Sequence, residues 1–390
     1  MKTESEQEFL ISQGGPFYEL QRQLGLVSDR SEMVVRRLII FLALTAFAPL
    51  LLELFSRGLD SAVSILLNPD FLTRFVLFVV IAIMMERSIE QSLREFLKRF
   101  RESGLLGPDQ RKQGAALVAR SLRFRNSAIA ESVCLVAAFT VSVLSLFSAS
   151  ADNETAALLL NSKTDSSLTP TGWWIMIISN PIFLFLTLRW LWRITIWSIF
   201  LHWISRLELR LVVTHPDKSG GIAFIGKYPN AFSPFVFAFS SVIAAIVFRL
   251  IDAEGMSVET YGFLMSAWLA IVLVVFLAPL TSFVVPLGRL RETALREADM
   301  IDTRTRRENE REVLGKNLMG PPDEPLESED EAPGDTAAIR KSADALRLRP
   351  FSREAVIPLS AAALIPLLIA GTSVLPLKEL LNIAKKLLLF

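Results

Sequence analysis

Long apolar runs alternate with charged stretches along the chain. A bilayer core is about 30 Å thick, and roughly 20 mostly apolar residues of α-helix are needed to cross it. The runs that reach or approach this length are 34–55, 71–85, 128–147, 173–204, 232–250, 261–287 and 355–375. The pattern predicts an all-α polytopic membrane protein of about seven transmembrane helices with helical extensions outside the membrane.

Two of these runs are not simple spans. The fourth continues with little interruption to Val213, which makes about 40 residues, or roughly 60 Å of continuous helix. We therefore expect its second half to lie below or along the membrane surface, with Arg206 and Arg210 on one helical face. The last run contains Pro358 and Pro366. Both a full crossing and a re-entrant one stay open for it.

The distribution of lysine and arginine between the runs predicts the orientation. Segment 86–127 carries ten of these residues, whereas the loops expected on the opposite side carry only Arg57 and Lys163. Those loops are 56–70, 148–172 and 252–260. Because cytoplasmic loops are enriched in lysine and arginine, we expect the N-terminus to be cytoplasmic. The same rule places 86–127, 188–231 and 288–354 in the cytoplasm.

The charged stretches have helical periodicity of their own. Segment 86–127 predicts an antiparallel hairpin, in which Gly104 ends the first helix and Pro108 begins the second. Short amphipathic helices are expected near both chain ends.

These patterns divide the chain into consecutive segments. They are 1–33, a cytoplasmic N-terminal segment; 34–85, the first two spans; 86–127, the hairpin; 128–204, the third and fourth spans; 205–231, a cytoplasmic loop region; 232–287, the fifth and sixth spans; 288–318, a charged helix; 319–336, an acidic, proline-rich and therefore disordered linker; and 337–390, a membrane helix followed by an interfacial helix.

Composition narrows the class of protein further. The 390 residues are 52% hydrophobic with a mean hydropathy of +0.42, and the net charge of +1 gives no reason to expect nucleic acid. The single cysteine, Cys134, excludes an intrachain disulfide, and two histidines argue against a histidine-rich metal site. We expect no cofactor, and the composition implies the lipid bilayer as a partner.

The stretch LVVTHPDKSGGIAF, residues 211–224, stands out from the apolar helices around it. Pro216 disfavours a helical conformation at His215, so we expect the preceding helix to stop there. Asp217 can cap backbone amides, and the glycines at 220 and 221 permit positive φ. These features by themselves predict a structured turn between two membrane helices.

A sharper hypothesis adds an anionic ligand to this turn. Consecutive amides around a Gly-Gly pair form a concavity that binds anions, and basic residues lie in the loop and on the helix before it. An anionic small molecule or a lipid headgroup would suit such a site. The candidate ligand-binding residues are His215, Asp217, Lys218, Gly220, Gly221, Arg206 and Arg210. A catalytic role for His215 and Asp217 is disfavoured, because the sequence places no paired nucleophile or second carboxylate near them.

Charged residues within the spans are the other candidates. They are Glu131, Arg189 and Arg193, and of these Glu131 and Arg193 are the deepest near the inner face. Intramembrane charges are costly and often functional, although side chains near a span end can also reach the interface. A pair between Glu131 and Arg193 is one hypothesis for how such charges are neutralised.

Four segments resemble a family of bacterial multi-pass inner-membrane proteins with an HPD-x-x-GG cytoplasmic loop. They are GGPFYELQRQLGL (14–26), FRESGLL (100–106), LELRLVVTHPDKSGGIAFIG (207–226) and LRLRPFSREAVIPL (346–359). The resemblance implies location in the bacterial inner membrane and a multi-pass architecture, and it brings no activity with it. The acidic segment before the last span departs from the family pattern.

Two functions remain open from the sequence. The first is a non-enzymatic transporter- or channel-like protein with an anionic-ligand site at its cytoplasmic face, suggested by juxtamembrane charge and proline-broken spans. The alternative is a membrane sensor or scaffold that engages a protein partner, or a second copy of itself, through its cytoplasmic helices.

Overall fold

The computed structural model describes residues 14–26, 32–147, 168–254, 257–320, 336–351, 353–372 and 376–388. These residues form helices and the loops between them, without a β-strand among them. The α-helices are α1 (Pro16–Gln23), α2 (Glu32–Leu42), α3 (Ala48–Arg57), α4 (Leu59–Leu67), α5 (Pro69–Phe71), α6 (Phe78–Glu102), α7 (Pro108–Arg125), α8 (Ala128–Phe147), α9 (Pro170–Trp174), α10 (Asn180–Ser205), α11 (Ser233–Glu254), α12 (Val258–Thr281), α13 (Val284–Leu314), α14 (Thr336–Asp344), α15 (Arg353–Gly371) and α16 (Leu377–Leu388).

Five helical stretches in the described part of the chain are long and apolar enough to cross a membrane. They are Val34–Arg57, Pro108–Ser145, Pro170–Ser205, Ala223–Ile251 and Val258–Thr281. A sixth span results if the pair α4 and Pro69–Glu102, bent by 64°, counts as one. The all-α prediction is confirmed, but the count of seven is not, because Ala355–Gly371 is a shorter apolar helix.

Three of the spans contain a short π-helical segment in mid-course. These segments are Ala43–Phe47, Leu72–Leu77 and Ile175–Ser179, and the first packs against both of the others. A π-helical turn disrupts the regular i to i−4 hydrogen bonds and is often found at functional sites. Neighbouring side chains bond carbonyls of these segments: Trp174 Nε1 donates to Leu44 O at 2.9 Å, and Thr45 Oγ1 donates to Phe75 O at 2.9 Å.

The interior of the bundle is built around α15. This helix packs along α11 and also contacts α12, and residues such as Leu359, Ala363 and Leu367 on it are fully buried. Pro358 and Pro366 lie inside the helix without ending it. The hydroxyl of Tyr261 donates a hydrogen bond to the carbonyl of Leu367, one residue after Pro366. The last apolar run is therefore a central packing helix.

The predicted overshoot of the fourth span is wrong in one part. Helix α10 ends at Ser205, ten residues before His215, and residues 206–222 form an irregular loop. Tertiary hydrogen bonds replace the expected helix, because the amide of Arg210 donates to Leu105 O at 2.8 Å and that of Val212 to Gly220 O at 3.3 Å. Arg206 and Arg210 consequently do not share a helical face.

The remaining extensions gather at one end of the bundle. We call this end the loop side; it carries the turn after α6, helix α7, the irregular loop 206–222, the 3₁₀-helix Ala223–Phe232 and helix α13. Gly104 follows α6 with φ 72°, and Pro108 begins α7. The apolar run 261–287 breaks at residues 282–283 before α13 begins. Most of the predicted acidic linker, residues 321–335, lies outside the described residues.

Candidate functional site

The HPDKSGG loop is organised around the carboxylate of Asp217. Its Oδ1 atom accepts hydrogen bonds from the amides of Ser219 at 2.8 Å and Gly221 at 3.1 Å, and its Oδ2 atom accepts one from Ala223 at 3.0 Å. Nδ1 of His215 lies 2.8 Å from the same Oδ1 atom. Partial burial raises the pKa of Asp217, but these amides and His215 more than offset it and lower the pKa below its ordinary value.

These bonds change what the Gly-Gly turn can bind. The amides that the sequence suggested for an external anion are directed at the chain's own carboxylate. Lys218, Gly220 and Gly221 all have positive φ, at 56°, 65° and 93°. The backbone therefore forms the predicted concavity, and the Asp217 carboxylate occupies it.

The other candidate residues separate into two places. His215, Asp217 and Gly221 line a pocket of about 320 Å³, whereas the Gly220 backbone packs near Leu287 and Leu290 of α13. The guanidinium of Arg210 lies beside Gly107 in the turn between α6 and α7. Arg206 is the C-cap residue of α10. Lys218, Arg206 and Arg210 are exposed and do not line the pocket.

The pocket is lined instead by basic residues that the sequence did not identify as candidates. Lys227 comes from the 3₁₀-helix, and Arg347 and Arg349 come from the connection between α14 and α15. All three are exposed, and among the described residues none of them forms an ion pair. With Asp217 as the one carboxylate in the lining, these residues give the pocket a net positive charge.

The two segments that form the pocket are held together by backbone contacts. The amide of Arg347 donates to Lys218 O at 2.7 Å. A Cβ atom at Gly226 would overlap the backbone carbonyl of Pro350 and would lie 2.7 Å from the Cα atom of Phe351. Glycine at 226 thus permits the close approach that brings Arg347 and Arg349 beside the HPDKSGG loop.

A second set of charged residues is buried between the spans. Glu86 on α6 bonds Arg37 of α2 at 2.8 Å and Arg193 of α10 at 3.3 Å, and Arg189 lies 3.8 Å from the same carboxylate. Arg189 also donates from Nε to Glu131 on α8 at 3.1 Å. We call these five residues the charge cluster. The expected pair of Glu131 with Arg193 is replaced by Glu131 with Arg189.

The charge cluster is buried and carries an excess of positive charge. The side chains of Arg189 and Arg193 are 4% and 3% exposed, and three arginines face two glutamates. The Nη2 atom of Arg189 is buried without a hydrogen-bond partner among the described residues. Burial of this extent excludes the alternative in which the arginines reach the membrane surface.

The N-terminal segment closes one side of the charge cluster. The amide of Phe17 donates to Glu131 Oε2 at 2.7 Å, and the Phe17 ring lies 4.8 Å from the guanidinium of Arg189. The ring also packs edge-on against Phe41 and Phe185. The sequence predicted a short amphipathic helix here, and the structure places α1 against the bundle, with its first turn bonded to Glu131.

A smaller charged group lies at the opposite end of the spans. Asp70 bonds Arg249 at 2.8 Å and Arg74 at 3.5 Å, and the buried Glu53 accepts from Ser61 at 2.5 Å. The pair of Asp70 and Arg249 joins α5 to α11, and we interpret it as a structural link.

Comparison with known proteins identifies no relative of this chain. No protein-family model matches the chain, and neither a curated protein nor a solved structure matches it. The family resemblance therefore stays a prediction. Of the four segments that carry it, 207–226 contacts both Leu105 and residues 347–351 on the loop side, whereas 14–26 contacts the charge cluster.

Proposed function

We propose that this protein is a transporter- or channel-like membrane protein that takes up an anionic ligand at its loop side, and that the loop side is cytoplasmic. The observation that carries the proposal is the pocket lined by His215, Lys227, Arg347 and Arg349. Three exposed cations converge there from two distant segments of the chain. A volume of about 320 Å³ suits a small ligand such as a phosphate or a short carboxylate.

The charge cluster supports the transport part of the proposal. Its net positive charge, with the Nη2 atom of Arg189 that has no hydrogen-bond partner in the described part of the chain, offers an anion a favourable environment between the spans. Helix α10 connects the two sites, because it carries Arg189 and Arg193 and, one turn later, Trp197, whose ring lies 6.1 Å from that of Tyr228 in the 3₁₀-helix. The interrupted spans are typical of proteins that bind their substrate within the membrane.

The proposal is tested by comparing two triple variants in detergent. Lys227→Gln/Arg347→Gln/Arg349→Gln removes the cations of the pocket. Arg206→Gln/Arg210→Gln/Lys218→Gln removes the same charge from nearby residues outside it. Hydrogen bonds to charged groups contribute about 1.5–3 kcal/mol each, and less where exposed. We therefore expect the first variant alone to weaken binding of inorganic phosphate, sulfate or succinate at least tenfold in calorimetric titration.

Two results would contradict the proposal. Equal weakening by both variants would mean that the affinity reflects overall charge rather than the pocket. If the wild-type protein bound none of these anions, the proposed class of ligand would be wrong. For the anion that binds, flux into liposomes tests transport, and we expect Arg193→Ala to reduce that flux relative to an exposed control, Arg296→Ala.

The alternative function rests on α13. This helix has 31 residues, or about 46 Å, and packs against α14. Beyond that contact it exposes Val313 and Leu314, followed by Leu318 and Met319. If the protein is a scaffold, making the residues after Met300 on this helix polar should release a co-purifying partner. Anion binding in the pocket should then be unchanged.

A further inference from the structure

A large groove lies on the loop side, away from the pocket. It has a volume of about 870 Å³ and runs between α6 and α7, with α10 as its floor. The two helices of the hairpin make almost no direct contact, because α7 packs on α10 instead. Phe100, Leu106 and Leu122 with Phe200 and Ile204 give the groove an apolar interior.

The rim of the groove is strongly basic. Arg101, Arg111, Arg123 and Arg125 line it, and no carboxylate does. Arg101, Arg111 and Arg123 are exposed. Arg111 and Arg123 are twelve residues apart on α7, so the charged rim extends over about 18 Å. An occupant must therefore be elongated, acidic and partly apolar.

The chain itself supplies a segment of this kind beside the groove. Residue 14, the first that the structure describes, lies against Arg125 and Asn126, and both of these line the end of the groove. Residues 1–13 lie outside the described part of the structure; their sequence is MKTESEQEFLISQ. It contains Glu4, Glu6 and Glu8 against one lysine, followed by the apolar run Phe9-Leu10-Ile11.

We propose that the groove is the docking site for residues 1–13 of the same chain. Charge supports this occupant, because the three glutamates in its sequence are complementary to the three exposed arginines of the rim, Arg101, Arg111 and Arg123. Reach supports it as well, because thirteen residues span up to about 40 Å when extended, more than twice the rim. Docking begins from a fixed point, since the Phe17 amide is bonded to Glu131. The proposal does not rest on the anion pocket.

Cross-linking in the full-length protein tests the docking. In a Cys134→Ser background, Ser5→Cys is combined with Ala115→Cys, which lines the groove, or with Ser92→Cys, which is exposed on α6 outside it. With a short bis-maleimide, we expect the groove pair to cross-link at least fivefold more than the control pair. Equal yields would overturn the proposal, as would co-purified anionic phospholipid together with no cross-link.

A charge series separates specific docking from general attraction. Arg101→Gln/Arg111→Gln/Arg123→Gln removes cations of the rim, and Lys98→Gln/Arg99→Gln/Lys112→Gln removes the same charge from the same helices outside the groove. An exposed ion pair changes an equilibrium by up to about fivefold. We therefore expect the rim variant to lower the cross-linking yield by more than fivefold while the control stays near wild type. Equal loss in both variants would overturn the docking site.

Discussion

Replacing Glu86 by glutamine should strongly destabilise the bundle. The Glu86 side chain is 13% exposed and neutralises Arg37 and Arg193 at hydrogen-bonding distance and Arg189 at 3.8 Å. Glutamine keeps the volume of the side chain and removes its charge, which leaves these arginines with Glu131 as the only carboxylate of the charge cluster. Removing one partner of a buried ion pair costs about 3–5 kcal/mol, chiefly because the remaining charge stays desolvated.

A double-mutant cycle tests whether this cost is electrostatic. Arg193→Gln should also destabilise the protein, but Glu86→Gln/Arg193→Gln should be less damaging than the sum of the single changes. Coupling energies of about 0.5–3 kcal/mol are typical of residues in one ion-pair network. The free energy of unfolding would be measured by denaturation with sodium dodecyl sulfate in mixed micelles. Glu95→Gln, an exposed position on α6, serves as the control.

Two outcomes would refute this reasoning. A loss below about 1 kcal/mol for Glu86→Gln would mean that water or lipid headgroups already solvate the arginines. Additive single changes would mean that Glu86 and Arg193 do not interact energetically, despite the 3.3 Å between their atoms.

Three further predictions follow from backbone geometry and titration. Gly15→Ala places a Cβ atom 2.5 Å from Glu131 Oε1 at φ 89°, and should cost more than about 1 kcal/mol and expose α1 to proteolysis. The lowered pKa of Asp217 means that its stabilisation is present above the ordinary value of 3.8 and is lost as pH falls through the lower folded pKa. The hydrogen-exchange protection factors of amides 219, 221 and 223, which bond the Asp217 carboxylate, should fall there, and Asp217→Asn should abolish that dependence. Gly226→Ala overlaps Pro350, and should cost about 1–3 kcal/mol and weaken anion binding in titration.

Matched glycines provide the controls for these substitutions. Gly25 has φ 65° with open space around it, so Gly25→Ala reports backbone strain without a clash and should leave α1 protected. Gly288 has open space in a helix, and Gly288→Ala should be neutral or stabilising by up to about 1 kcal/mol. If Gly226→Ala behaved like Gly288→Ala, the close approach of the two pocket segments would be contradicted.

Local signals explain which parts of the fold could be predicted. Apolar runs of about 20 residues identify helices of the bundle without knowledge of their neighbours. A glycine followed shortly by a proline, as at 104 and 108, marks the end of one helix and the start of the next. The end of α10 at Ser205 has no comparable signal. It depends on hydrogen bonds from Arg210 and Val212 to residues brought near by folding.

The π-helical segments and the pocket are beyond sequence reasoning for a related reason. Segment Ala43–Phe47 reads as ordinary apolar helix, and its irregularity is accommodated by Trp174, which is distant in sequence. Lys227 and Arg347 are separated by 120 residues in the chain. Each looks like a routine positive charge beside a membrane span, and their convergence becomes visible through the fit of Gly226 against Pro350.

Helix α10 contributes to the charge cluster and also reaches the 3₁₀-helix beside the pocket and the basic groove. Along α10, Arg189, Arg193, Trp197, Phe200 and Ile204 recur every three or four residues and form one buried stripe. The first two belong to the charge cluster, the third contacts the 3₁₀-helix beside the pocket, and the last two form the floor of the basic groove. A shift of α10 would therefore act on all three places at once. Occupation of the groove or the pocket that moves this helix must also change the pairing of Arg189 and Arg193 with Glu131 and Glu86.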